Sequence, residues 1–362
     1  FNPTSSISVT NMLIGTTDLQ YQILTGSVNQ NNIYYAISLL GTDLYSKYFR
    51  PTPEWDTVLV NDISGLFKDT SFNEDISGWN TINITNTSET FYNTSFNKKI
   101  GNWDTSNITT MNSMFYGSPF NEDLSWNTLA VSDMAYMFYD SSFNKNINQW
   151  TTNQVTTMNS MFYGTPFNQP LYNWSTRQVM DMSYMFKGSS FNQPLYQWDV
   201  SKVTTMNGMF QDSPFNQDIS GWVLSVSNMD SMFQNSSFNH HVGKWDISSV
   251  TTMRNMFKGA TAFNQSLYNW DISFQDTTGF NPTKTDVSTN DMLDSTSALK
   301  YYILTGDVSN DNLYSAVELY KNKEEYDYVY KPITEWNTSS IVDMSGLFQD
   351  DVSFNEDISG WN

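Results

Sequence analysis

Residues 155–178 read VTTMNSMFYGTPFNQPLYNWSTRQ, and close versions of this string recur on both sides of it. Phe-Asn pairs begin at Phe72, Phe96, Phe120, Phe143, Phe167, Phe191, Phe215, Phe238 and Phe263, spaced 23 to 25 residues apart, and another begins at Phe354. A Trp follows each pair, from Trp79 and Trp103 through to Trp270 and Trp361. Such regularity is the signature of an array in which each unit rests on its neighbours.

Within residues 155–178, Val155, Met158, Met161 and Phe162 fall on one face of a helix. Thr110, Asp133, Thr157, Asp181, Thr205, Asn228, Thr252 and Asp343 precede that face and are good N-caps. Asp69, Asn93, Gly117, Asp140, Gly164, Gly188, Asp212, Asn235, Gly259 and Asp350 follow it, all types that tolerate a left-handed helix end. The spacing therefore predicts a helix of only five or six residues in each repeat, too short to stand alone. Pro166 and Pro170 exclude helix beyond it. Thr105, Val200, Leu224, Ile247 and Ile272, each two residues past a Trp, suggest a short strand. The expectation is an α/β solenoid of about 24-residue turns, with Trp, Phe and Met filling the space between a strand layer and a helix layer. Thr87 and Thr90 stand where other repeats carry Met, which predicts one loosely packed turn.

The Asn after each Phe recurs at Asn73, Asn97, Asn121, Asn144, Asn168, Asn192, Asn216, Asn239 and Asn264. An amide offers donors and an acceptor to backbone groups buried at the corners of a turn. A structural ladder between neighbouring repeats is the favoured reading; a ligand groove lined by amides is the alternative.

A longer period overlies the short one. FNPT at 1–4 returns at 280–283, YQILTG at 21–26 returns as YYILTG at 301–306, and SFNEDISGWN at 71–80 returns at 353–362. Residues 1–54 and 275–335 read as helical N-terminal caps that also act as joints, with an amphipathic helix expected over 31–48. Residues 55–274 read as about nine repeats, with a boundary near Phe274–Gly279, and 336–362 as the start of a second array. Phe1 is expected to begin a processed or partial chain.

The stretches FNQPLYQWDVSKVTTMNGMF (191–210), FNKKIGNWDTSNITTMNSMF (96–115) and LYSAVELY (313–320) with ITEWNTSSIVDMSGLF (333–348) resemble the BspA-like leucine-rich-repeat surface proteins of the mycoplasma lipoprotein-associated type. The resemblance implies a leucine-rich-repeat-like solenoid at the cell surface or outside the cell, with adhesive or structural roles and no catalysis.

Composition narrows function further. With 37 acids against 17 bases the net charge is −20, and half of it falls on residues 280–362. Nucleic acid is an unsuitable partner, as is an anionic membrane surface. No apolar run is long enough to insert in a membrane. Cysteine is absent and only His240 and His241 are present, so thiol chemistry and His-dependent triads lack their residues. The His pair alone is a weak metal signal. Glu74/Asp75, Glu122/Asp123 and Glu356/Asp357 are oxygen-rich enough to suggest Ca²⁺, but Lys98/Lys99 and Gln169/Pro170 occupy the same place elsewhere, which favours solvated turns. No cofactor is expected.

Tyr116, Tyr139 and Tyr163, with Tyr172, Tyr196 and Tyr268, form a candidate contact surface for glycans or a neighbouring chain. Candidate N-glycosylation sites are Asn83, Asn86, Asn93, Asn107, Asn173, Asn235 and Asn337, while the sequon at Asn264 falls in the ladder and is expected to stay bare. The favoured function is a structural extracellular repeat protein that self-associates into a filament or surface stalk. A cell-surface adhesin binding glycans or host proteins is the rival.

Overall fold

The computed structural model describes residues 28–263, 265, 267, 270, 308, 313–320, 331–349 and 354–361. The expected boundary near Phe274–Gly279 lies outside them, as do Asn264, Tyr268 and Asp350. The chain divides into two compact units, Phe1–Gln178 and Val179–Asn362.

Among the described residues of the first unit, two helices precede the repeats, α1 (Ile33–Ser38) and α2 (Asp43–Tyr48), where one was expected over 31–48. Gly41 takes φ +81 between them and ends α1. Thr42 is extended and accepts from the Tyr45 N–H at 3.2 Å, which starts α2. A 3-10 turn at Thr52–Glu54 then delivers Trp55 onto Trp79, with ring centroids 5.8 Å apart.

Beyond the cap, the predicted helix of each repeat is absent among the described residues. The segment is a run of tight turns. In residues 111–118 alternate N–H groups close turns on the third residue back, as Met114 does on Met111 and Tyr116 on Ser113, both at 3.2 Å. The others leave the repeat: Ser113 N donates to Ala135 O, Phe115 N to Met137 O and Gly117 N to Tyr139 O, at 2.7–2.9 Å. Left-handed residues every fourth position, Ser113 (φ 54) and Gly117 (φ 64), turn those groups outward. An isolated helix this short closes few bonds for the residues it fixes. The turn run instead pairs its outward groups with the next repeat.

The expected strand is likewise reduced to single parallel bridges, and from Thr110 onward these sit at the residues read as N-caps. Asp62 pairs with Asn86, Asn86 with Thr110, Thr110 with Asp133, and Asp133 with Thr157. The capping bond itself is present. Asp62, Asn86, Thr110, Asp133 and Thr157 each accept the N–H two residues on, with Ser64 to Asp62 at 2.7 Å the shortest.

The interior of the first unit is ordered in columns. Phe67, Phe91, Phe115, Phe138 and Phe162 lie near-parallel at centroid spacings of 5.5–5.8 Å. Trp79, Trp103, Trp126, Trp150 and Trp174 do so at 6.1–6.4 Å. All are buried, as are Met111, Met114, Met134, Met137, Met158 and Met161. Each such side chain contributes about 1.5–3 kcal/mol by leaving water. Thr87 and Thr90 are not loosely packed: both are buried, with the Thr90 hydroxyl 2.8 Å from Thr87 O and the Thr87 hydroxyl 3.1 Å from Thr110 O.

The second unit repeats this plan. Asp181, Thr205, Asn228 and Thr252 bridge in series, and Phe186, Phe210, Phe233 and Phe257 stack at 5.5–5.8 Å. Its own cap holds α3 (Leu313–Tyr320) and a 3-10 turn at Ile333–Glu335. Val308, Leu313, Ala316, Val317, Ile333, Trp336 and Leu347 form a buried cluster there.

Candidate functional site

The repeat-to-repeat columns bring the sequence-selected residues together. Each buried indole N–H reaches back to a carbonyl of an earlier turn: Trp79 to Thr52, Trp103 to Ile76, Trp126 to Ile100, Trp150 to Leu124 and Trp174 to Ile147, at 2.8–3.2 Å. The indole thus fills space and satisfies a buried acceptor at once.

The Asn column is a side-chain-to-backbone ladder. Asn73 Oδ1 accepts from Asn97 N, Asn97 Oδ1 from Asn121 N, Asn121 Oδ1 from Asn144 N and Asn144 Oδ1 from Asn168 N, at 2.9–3.0 Å. In the second unit Asn192 and Asn216 do the same for Asn216 and Asn239. The groups served are not buried: Asn73, Asn97 and Asn216 are exposed and the others half-buried. Neighbouring glutamines add to it, Gln169 on Asn144 and Gln217 on Asn192.

Sequence reasoning passed over a second ladder. Thr57, Thr81, Thr105, Thr128 and Thr152 each donate a hydroxyl to a carbonyl of the next repeat, at 2.8–3.0 Å. Their signal was the recurrent Thr two residues past each Trp. Val200, Leu224 and Ile247 hold that place in the second unit.

Tyr116, Tyr139 and Tyr163 join Tyr92 in one column, with rings 4.2–4.4 Å apart and within 13° of parallel. Lys68 lies 4.4 Å over Tyr92 and pairs with Glu89 at 2.9 Å, closing one end. Tyr92 and Lys68 share the same repeat position, so the period alone locates them. Burial raises the Tyr139 phenol above its ordinary value, with Tyr163 adding to it, and burial also raises Tyr116. Inside the column each ring face is covered by the next, so only ring edges and hydroxyls remain outward. Tyr172 and Tyr196 differ: they are 51% and 65% exposed and stand apart from the column.

The acidic turns are local devices. Asp75 accepts from Ser77 N at 3.0 Å, and that backbone bond leads in holding its carboxyl below the ordinary range. Asp357 is held the same way by Ser359. No group of three or more His, Asp or Glu that would hold a metal ion occurs among the described residues. His240 Nε2 lies 3.2 Å from Asn216 O. No helix of the described residues is long and apolar enough to cross a membrane.

Among the sequon residues, Asn83, Asn93, Asn107, Asn173, Asn235 and Asn337 are exposed and Asn86 is half-buried. Several already use their amide nitrogen: Asn83 on Val58 O, Asn86 on the Asp62 carboxylate, Asn93 on that of Asp69, Asn107 on Ile82 O and Asn235 on the Asp212 carboxylate. Asn173 donates its main-chain N–H to Asn148 Oδ1, and Asn337 Oδ1 accepts from Ser339 N.

A chain of this kind, with one set of contacts renewed at each repeat, is a tandem-repeat protein. It belongs to the family described as Mycoplasma protein of unknown function, DUF285, whose model matches residues 43–143, 93–195, 118–222, 188–290, 223–311 and 287–362. No curated protein matches the chain, and no solved structure does.

Proposed function

We propose that this protein is a structural surface component: a leucine-rich-repeat-like solenoid of the BspA-like type, built of turn runs and single bridges in place of the expected α/β layers, in tandem modules outside the cell, self-associating into a filament or stalk. The observation that carries the reading is the recurrence of the whole cap-plus-repeat module. Tyr34 Oη donates to Ser64 O at 2.9 Å, and Tyr314 to Ser345 O at 2.9 Å. Trp79 Nε1 donates to Thr52 O and Trp361 to Ile333 O, each at 2.8 Å. A module that ends by starting its own successor suits an extended assembly, since head-to-tail contacts that do not close make filaments. The role proposed is non-catalytic and calls for no cofactor. Negative-stain microscopy of concentrated protein is the test: fibres or long rods are expected, and compact isolated particles at every concentration overturn the reading.

The exposure of Tyr172 and Tyr196 favours adhesion to glycans as the second reading, because open ring faces are what a sugar stacks on. It predicts saturable glycan binding that the Y172A/Y196A double variant loses.

A further inference from the structure

The two caps make the same contacts at every position compared above, but they differ at one. Aligning Leu313, Tyr314, Ala316 and Val317 with Ile33, Tyr34, Ala36 and Ile37 puts Tyr320 opposite Leu40. In the second cap the Tyr320 hydroxyl donates to Glu356 Oε1 at 2.6 Å, and its ring stands edge-on to Phe354 at 5.8 Å, 66° from parallel. The counterparts of Glu356 and Phe354 in the first cap are Glu74 and Phe72. There the shorter Leu40 leaves a groove of about 490 Å³, lined by Ile37, Leu40, Phe67, Thr70, Phe72 and Glu74 among others. That volume lies within the range of small-molecule pockets, roughly 300–1,000 Å³.

We propose that this groove binds a small phenol from solution, its ring against Ile37 and Leu40 and its hydroxyl donating to Glu74. The chemistry of the walls selects that ligand. Ile37 and Leu40 are half-buried and present apolar surface to a ring. Glu74 accepts no hydrogen bond from a described residue. Tyr45 gives its hydroxyl to Arg50 O at 2.8 Å. Burial, and after it the charge on Glu74, holds that Tyr45 phenol up at about 12. A ligand carboxylate would be repelled there. A neutral phenol forms the short charge-assisted bond that Tyr320 makes to Glu356.

The test is calorimetry of the full chain with p-cresol, with toluene as the comparison lacking the hydroxyl. Saturable binding at one site is expected, about tenfold tighter for p-cresol than for toluene, as a hydrogen bond to a charged group confers. L40Y, which installs the side chain found in the second cap, is expected to lose at least that factor while melting no lower than the parent. E74A, on an exposed turn, is expected to keep the groove and abolish the preference for p-cresol. No saturable p-cresol binding, equal affinity for the two ligands, or unchanged p-cresol affinity in E74A overturns the proposal.

Discussion

At Gly164 the backbone takes φ +67, and a Cβ there would run into Oδ1 of Asp140, one repeat earlier. Gly117 meets Asn93 and Gly259 meets Asn235 in the same way. Glycine is required twice over, for its conformation and for the carboxylate or amide lying against it. G164A is expected to cost about 1–3 kcal/mol, read as a lower urea midpoint by tryptophan fluorescence. Adding D140G removes the collision, so the double variant should lose less than the sum of the singles. This column was legible in the sequence, because Gly, Asn and Asp recur where a left-handed residue is needed. The other left-handed column was less so. Gly65, Gly208 and Asn255 belong to it, but Glu89, Ser113, Tyr136, Ser160 and Tyr184 also have positive φ there, and none of those residue types announces it. Non-glycine residues resist that conformation by roughly 1–2 kcal/mol each. They are held in it by backbone bonds to the next repeat, such as Tyr136 N to Asn159 O at 2.8 Å. The same bonds displaced the predicted helices: the Met and Phe spacing correctly identified the buried face, but it fits the turn run as well as one turn of helix.

At the scale of an element, the columns are the units that count, and two of them give opposite predictions about polarity. The Thr105 hydroxyl donates to Asn127 O at 2.8 Å inside the packed edge, while the second unit holds Val200 at that place. T105V keeps the shape and removes one neutral hydrogen bond, so a loss of about 0.5–1.5 kcal/mol in urea denaturation is expected, with the fold retained. The tyrosine column makes stability depend on alkaline pH. Tyr139 has its folded-state proton affinity raised above the ordinary value of 10.0. The folded state then binds more protons than the unfolded chain above that pH, so stability falls as pH rises. Melting temperature should be level up to about pH 10 and drop beyond it. Y116F/Y139F, which keeps the rings and removes two ionisable groups, should flatten that drop; an equally steep fall in the variant would mean the column is not its source. Period alone places Tyr116, Tyr139 and Tyr163 one repeat apart in the sequence. That their faces are turned on one another and away from solvent follows from the close spacing of repeats, which no single repeat encodes.

Across a whole unit, the contacts that matter join each repeat to the one before or after it. Trp126 stacks on Trp103 and Trp150, its N–H reaches Ile100 O, and Asn121 bonds Asn97 and Asn144. Stability in such an array is close to a sum of repeat terms and nearest-neighbour terms. Length should therefore be adjustable in whole repeats and in no smaller step. Deleting Val131–Gln154 joins Ala130 to Val155, which occupies the position Val131 held, so Trp126 meets Trp174 and Thr110 meets Thr157 with every column in register. That variant is expected to unfold in one cooperative transition with a modestly lower midpoint and a smaller denaturant slope, since less surface is exposed on unfolding. Deleting only residues 131–142 removes half a repeat and leaves the Trp, Phe and Asn of one repeat facing the wrong columns of the next. The cost there is several buried aromatic contacts and the ladder bonds together, more than a domain of ordinary stability holds in reserve. Loss of the cooperative transition in the half-repeat deletion, with its retention in the full-repeat deletion, is the expected pair of results. Equal damage from both would mean that the first unit is held by contacts spanning more than adjacent repeats.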